Sequence, residues 1–215
     1  MINSNNDSGR SMIEMLGVLA IIGVLSVGGI AGYSKAMMQH KINKTVDQIS
    51  QITGNIRTLF GSQKTYAALG ETTNVTLIKK AHLVPDEMWN AAGTALENPF
   101  GGSVTIQTSS RKTNNDNKAF AIQFKSLPED ACMALATYDW GSGSSSGLIS
   151  LGIAGSDAKF GDGFTGANSG CAGSSADGKA VACPNGATVT VPMSVSVAST
   201  ACLTGDSNIM FLKFY

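Results

Sequence analysis

One uncharged apolar segment near the N-terminus constrains this chain more than any other feature. No residue from position 15 to position 30 carries a charge, and the apolar stretch of residues 12–33 has the roughly 20 residues that a helix needs to cross a bilayer. A single acid, Glu14, stands near its start. Because an ionised carboxylate is costly in lipid, Glu14 is expected to have a partner. The segment therefore predicts a transmembrane helix.

The helical pattern continues beyond the apolar segment as an amphipathic helix. Apolar residues recur at three- and four-residue steps through residues 38–60, while Lys41, Asp47 and Arg57 fall on the opposite face. An unbroken helix over residues 12–60 is about 70 Å long, more than twice the thickness of the bilayer core. Its second half therefore needs a partner outside lipid. The downstream domain is the expected partner, and a coiled coil with a second chain is the alternative.

Alternating apolar and polar residues in the rest of the chain predict an antiparallel sheet. Ser126 and Glu129 have the spacing of a capping box ahead of a short helix that ends near Tyr138. Pro192 cannot donate a ladder hydrogen bond, so its strand is expected to lie at a sheet edge or to contain a bulge. The final strand is apolar enough to be central. The order of elements indicates an α+β fold with one long helix packed on the sheet. Strands are predicted at residues 104–107, 120–125, 148–153, 188–197 and 208–215, and a further short helix at residues 75–82.

Four cysteines, all in the second half of the chain, indicate an exported domain. Cys132, Cys171, Cys183 and Cys202 form an even set downstream of an apolar segment, which favours disulfides in an oxidising compartment. Four cysteines allow three pairings. The interval between Cys171 and Cys183 contains neither a CxxC pair nor a nearby histidine, so a zinc site is not predicted.

Composition argues against several other classes of function. Fifteen basic and fifteen acidic residues give a net charge of zero, which argues against a surface for nucleic acid or anionic membrane. His40 and His82 are too isolated for a metal or catalytic pair, and Asp157 and Asp162 lack the dense acids of a calcium loop. No nucleophile motif or phosphate loop is present. We therefore predict no enzyme activity, no cofactor and no metal.

The sequence GRSMIEMLGVLAIIGVLS, residues 9–26, resembles the N-terminus of type IV pilins and their relatives. In that family a membrane-bound peptidase cuts after the glycine that ends the leader, and the fifth residue of the mature chain is glutamate. The resemblance implies a leader of residues 1–9, cleavage between Gly9 and Arg10, and Glu14 as the fifth mature residue. Arg10 stands where relatives usually have Phe or Met. A secretory signal peptide, the competing interpretation, would be cut after the apolar segment, where no clean small-x-small site occurs.

The resemblance also implies how the chain is organised and assembled. Residues 10–33 form the transmembrane and filament-core helix, residues 34–61 its amphipathic half, and residues 62–215 a globular head. Glu14 neutralises the Arg10 amine of a neighbouring subunit, an amine that is often methylated in relatives. The N-terminus faces the cytoplasm before assembly.

The cysteines extend the resemblance to the larger, type IVb class. In that class a disulfide closes the C-terminal region from a short helix to the last strands, which implies a Cys132–Cys202 bridge bounding residues 132–202. Cys171 and Cys183 then form the shorter, nested bridge.

The function implied is that of a structural subunit that polymerises with itself into an extracellular type IV pilus. Its further partners are a prepilin peptidase, the inner-membrane assembly machinery and, before assembly, the inner membrane. The loops of residues 141–180 are the expected surface for adhesion. Three alternatives stay open: a type II secretion pseudopilin, a minor pilin, and a membrane-anchored periplasmic binding domain that never polymerises.

Overall fold

The computed structural model describes residues 7–70, 72–109, 117–141, 147–154, 179–182, 187–190 and 192–215. The chain divides into two units, Met1–His40 and Lys41–Tyr215. One long helix, α1 (Asp7–Phe60), contributes residues to both. The predicted long helix is therefore confirmed, although it begins five residues earlier than residue 12.

In the second unit, α1 turns an apolar stripe towards the rest of the unit. Six of its large apolar side chains are at most 8% exposed: Ile42, Val46, Ile49, Ile52, Ile56 and Phe60. Burying one such side chain contributes about 1.5–3 kcal/mol, so this stripe contributes much of the stability of packing between α1 and the rest of the unit. The stripe is the one that the sequence periodicity predicts.

The described residues of the second unit form a seven-stranded sheet. Its strands are β1 (Leu96–Glu97), β2 (Ser103–Ser109), β3 (Ala119–Leu127), β4 (Leu148–Ala154), β5 (Lys179–Ala182), β6 (Ala187–Thr190) and β7 (Asn208–Phe214). They lie in the order β1-β2-β3-β7-β4-β5-β6, and neighbouring strands are antiparallel except β4 and β5, which are parallel. Strand β7 lies in the middle of the sheet with all seven residues buried, as its apolar composition predicts.

The loop after α1 covers the outer edge of β2 beyond its short pairing with β1. The backbone N–H of Thr108 donates to the carbonyl of Gly70 at 2.9 Å, and the N–H of Ile106 donates to Oγ1 of Thr73 at 3.2 Å. A covered edge cannot pair with a strand from another chain. The loop also contains α2 (Val75–Lys80), which matches the predicted short helix.

The predicted capping box at Ser126 is wrong. Ser126 belongs to β3 and has a positive φ of 56°, and the next helix, α3 (Glu129–Ala136), has Pro128 as its N-cap without a side-chain hydrogen bond. The reason is that β3 resumes its pairing with β7 at Leu127, opposite Asn208, after an irregularity in the ladder. The strand therefore holds Ser126 away from the helix terminus.

The predicted strand over residues 188–197 is also wrong from Pro192 onwards. Its second half is a helix, α4 (Val195–Ala201), whose N-cap Ser194 accepts a hydrogen bond from the N–H of Val197 at 3.4 Å. Alternating valines favour a strand, but a serine cap and buried small residues, Ala198 and Ala201, allow a helix to pack closely. Tertiary packing has overridden local propensity here. Strand β6, which precedes Pro192, does lie at the sheet edge.

Candidate functional site

The N-terminal half of α1 displays an unbroken apolar surface. Its large apolar side chains between residues 12 and 33 are 52% to 75% exposed, and among the described residues α1 is the helix long and apolar enough to cross a membrane. The hydroxyls of Ser26 and Ser34 donate to the carbonyls of Ile22 and Ile30 at 2.7 and 3.1 Å. Because these hydroxyls are satisfied within the helix, the surface can enter lipid or another protein without leaving them unpaired.

The three residues assigned to processing and assembly follow one another along α1. Gly9 and Arg10 lie in its first turn, since the helix begins at Asp7. Glu14 follows one turn later and is exposed. Loss of residues 1–9 would leave Glu14 one turn from the new start of the helix.

Cys132 and Cys202 form a disulfide between α3 and the residue that follows α4. Their Cα atoms are 5.9 Å apart, their sequence separation is 70 residues, and they are 0% and 4% exposed. This is the pair that the type IVb resemblance implies. The disulfide links α3 to the end of α4 beside the central strands of the sheet.

The structure describes neither the second predicted disulfide nor the two aspartates considered for calcium. Cys171 and Cys183 lie outside the described residues, as do Asp157 and Asp162. Within the described ranges, no group of three His, Cys, Asp or Glu side chains is arranged to hold a metal ion.

Asn208 supports the disulfide, and the sequence analysis missed it. Its fully buried side chain donates from Nδ2 to the carbonyls of Leu127 and Leu203 at 3.1 and 2.8 Å, and its Oδ1 accepts from the N–H of Leu203 at 2.7 Å. One amide thus joins the end of β3 and the residue after Cys202 to the start of β7. The only sign of this role in the sequence is a polar residue at the start of an apolar strand.

Arg57 is a second residue that the sequence analysis assigned only to a polar face. Its Nε donates to the carbonyl oxygen of Tyr215 at 3.2 Å, and its guanidinium lies 5.6 Å from the ring centroid of Phe214. Burial desolvates the guanidinium and lowers the pKa of Arg57, an effect partly offset by Tyr66 and Tyr215. Burial likewise raises the pKa of Tyr66, against the opposing charge of Arg57. Arg57 therefore attaches α1 to the end of the central strand.

Gly147 allows this attachment, because a Cβ at its position would collide with the Arg57 guanidinium and approach the Tyr215 oxygen. Its φ of 65° is also unfavourable for other residues. Gly147→Ala is expected to destabilise the protein by about 2 kcal/mol, from backbone strain and displacement of Arg57. Denaturant unfolding of the full chain in detergent micelles measures the loss.

The matched control for this prediction is Gly101→Ala. Gly101 has a φ of 84° and open space around the position of a Cβ, so its variant reports the backbone strain alone. Equal losses in the two variants would contradict the claim that Gly147 makes room for Arg57.

Glu87 links the loop after α1 to that helix through a hydrogen bond and an ion pair. Its Oε1 accepts from Nε2 of Gln48 at 3.0 Å, and its Oε2 lies 3.0 Å from Nζ of Lys44. The hydrogen bond from Lys44, and next that from Gln48, lowers the pKa of Glu87. A carboxylate whose pKa is lower in the folded state stabilises that state at pH values above the ordinary pKa of glutamate. The contribution of Glu87 to stability is therefore present at neutral pH and is lost as the pH falls through its folded-state pKa.

Glu87→Gln is therefore expected to cost less than about 1 kcal/mol at pH 7, since both partners of the ion pair are more than a third exposed. The difference between wild type and variant should shrink as the pH falls below the ordinary pKa of glutamate and through the lowered folded-state pKa of Glu87. Unfolding in detergent at pH 7, 5 and 3 tests this, with the exposed Glu97→Gln as the matched control. A difference that is undiminished at pH 3 would contradict the assignment.

Comparison with known proteins gives a consistent pattern. The family model named bundlin matches residues 34–182. The chain is 26% identical over 143 residues to the major structural subunit of bundle-forming pilus of Escherichia coli O127:H6, covering 66% of this chain and 69% of that protein. It is 23% identical over 129 residues to the toxin coregulated pilin of Vibrio cholerae serotype O1, covering 60% and 56%. The crystal structure of TcpA, a type IV pilin from Vibrio cholerae El Tor biotype, aligns with a TM-score of 0.51 at 15% identity, covering 82% of this chain and 99% of that one.

Proposed function

The chain belongs to the bundlin family, and from that premise we propose that it is a pilin, the structural subunit of a type IV pilus. The observation that carries the proposal is the apolar, exposed N-terminal half of α1, joined in one chain to a family-typical head. Such a surface requires either lipid or other copies of the same helix around it. A subunit that moves from membrane to filament uses it for both.

Assembly begins with cleavage between Gly9 and Arg10, which creates a new amine at the start of α1. While the subunit waits in the inner membrane, residues 10–33 lie in lipid. In the filament the same residues pack against those of neighbouring subunits, where van der Waals contacts and polar pairs replace contacts with lipid. The glycines between Gly23 and Gly32 permit close approach of the helices and local extension of α1.

Glu14 sets the register of this packing. A carboxylate and an amine attract strongly at low dielectric, and a subunit inserted at the wrong height leaves both charges buried without each other. The pairing of Glu14 with the Arg10 amine of a neighbour therefore selects one axial position. The head, residues 62–215, is carried on the filament surface.

Electron microscopy of sheared surface fibres, combined with N-terminal sequencing of their main protein, tests the proposal. We expect filaments whose subunit begins at Arg10. Cells that contain the assembly machinery but retain the chain only as a membrane-anchored monomer would contradict it, and so would a mature N-terminus elsewhere. Filaments that appear only with a type II secretion system would instead identify a pseudopilin.

A further inference from the structure

The second unit, residues 41–215, carries positive charge at one end of its central strands. Lys118 immediately precedes β3, and the backbone N–H of Tyr66 donates to the carbonyl of Asn117 at 2.7 Å. This hydrogen bond brings the segment that contains Lys64 alongside Lys118. Both lysines are exposed.

Arg57 belongs to the same end of the unit. Three aromatic rings in contact lie between Arg57 and the lysines. The ring centroids of Tyr66 and Phe120 are 5.0 Å apart, and those of Phe120 and Phe214 are 5.6 Å apart. The Arg57 guanidinium lies over the Phe214 ring. Phe120 and Phe214 face each other in the ladder near the start of β3 and the end of β7. We call the exposed Lys64 and Lys118 the basic end; Arg57 lies behind them and is attached to Tyr215.

The opposite end of the same two strands carries carboxylates. Leu127, the last residue of β3, pairs with Asn208, the first residue of β7, and Glu129 and Asp130 follow in the first turn of α3. The N–H of Glu129 donates to the carbonyl of Gly205 at 3.1 Å, which brings the exposed Asp206 beside them. We call Glu129, Asp130 and Asp206 the acidic end.

The two ends are separated by the length of β7, about 20 Å for seven residues. Among the described residues, Lys125 lies on β3 close to the acidic end and Lys41 lies over Phe100 in the adjoining loop. The three carboxylates outnumber these two lysines. A unit with opposite charges at opposite ends is complementary to a second copy placed head to tail, but not to one placed end to end in the reverse sense.

We propose that the acidic end of one copy contacts the basic end of the next copy in the filament. The contact is heterologous, because different surfaces of the two copies meet, and contacts of this kind repeat without closing. It acts on the heads, separately from the Glu14 pairing within the helical core. The inference rests on the proposed pilin function and adds a second, electrostatic determinant of subunit register.

Paired charge reversals in the full chain test the contact. The variants are Asp130→Lys with Asp206→Lys, Lys64→Glu with Lys118→Glu, and the combination of all four. We expect each two-site variant to reduce the yield of sheared filaments at least tenfold, and the four-site variant to return to within about threefold of wild type, since the reversed ends again attract each other. Lys80→Glu, on the exposed face of α2, is the matched control and should not change the yield.

Non-reducing electrophoresis and protease resistance of the membrane fraction establish that each variant is folded. If a variant is not folded, wild-type filaments at 0.05 M and 0.5 M salt provide the test, because salt screens exposed charges. We then expect at least threefold more dissociation at high salt. Wild-type yields from both two-site variants, no recovery in the four-site variant, or salt-independent filaments would overturn the inference. Absence of filaments from the wild-type chain would instead overturn the proposed function.

Discussion

Glu14→Ala is expected to reduce the yield of sheared filaments by at least about a hundredfold, while the chain stays exported, folded and in the membrane. Removing one partner of a buried ion pair costs about 3–5 kcal/mol, because the other charge remains buried alone. Each variant subunit that joins the filament would leave an Arg10 amine buried without its carboxylate, at this cost. Since every 1.4 kcal/mol is a tenfold change in an equilibrium, subunit addition becomes unfavourable.

Immunoblots of sheared and membrane fractions, together with electron microscopy, measure the effect. Asp47→Ala is the matched control, because Asp47 is an exposed acid on the same helix that the proposed pairing does not use. Glu14→Asp should give an intermediate yield, since the charge is kept on a shorter side chain. Normal filaments from Glu14→Ala, or an equal loss from Asp47→Ala, would refute the role assigned to Glu14.

Cys132→Ala combined with Cys202→Ala is expected to destabilise the chain by roughly 4 kcal/mol. In the chain-entropy model this is the unfolded-state freedom that closure of a loop of the observed 70-residue separation removes. Protein domains are stable by only about 5–15 kcal/mol, so the variant should be degraded rapidly and assemble poorly. The protease half-life of the full chain in membranes and the filament yield measure the two effects.

The control for the disulfide is Ser196→Ala, a substitution at an exposed position of α4. Asn208→Ala is a useful comparison, because it breaks the hydrogen bonds that join Leu127 and Leu203 to β7 while leaving the disulfide intact. It should destabilise less than the loss of the bridge. A double cysteine variant with wild-type protease resistance and wild-type assembly would show that the bridge is dispensable.

Much of the architecture could be predicted because it depends on local periodicity. The apolar segment, the amphipathic stripe that ends at Phe60, strands β2 and β3, and the central position of β7 all follow from which side chains must avoid water. The interpretation of residues 188–197 failed for the opposite reason. Alternating valines describe a propensity, whereas a cap at Ser194 and packing of Ala198 and Ala201 determined the structure there.

The residues of the candidate site also differ in whether local sequence could reveal them. Gly9, Arg10 and Glu14 are neighbours in the sequence, so their spacing on one helix was readable without a fold. For Arg57 the sequence pattern indicated only a polar face, and it marked neither Gly147 nor Asn208 as a site residue, because each of them contacts a residue far away in the sequence.

The sequence by itself determined that a helix with an uncharged apolar segment leads into an α+β head, because hydrophobicity and its period act between neighbouring residues. Only the tertiary structure decided that Arg57 reaches Tyr215, that Asn208 joins three segments, and that opposite charges gather at opposite ends of β3 and β7. Those relations depend on strand order and register, which bring distant residues together through long-range pairing that no local pattern encodes.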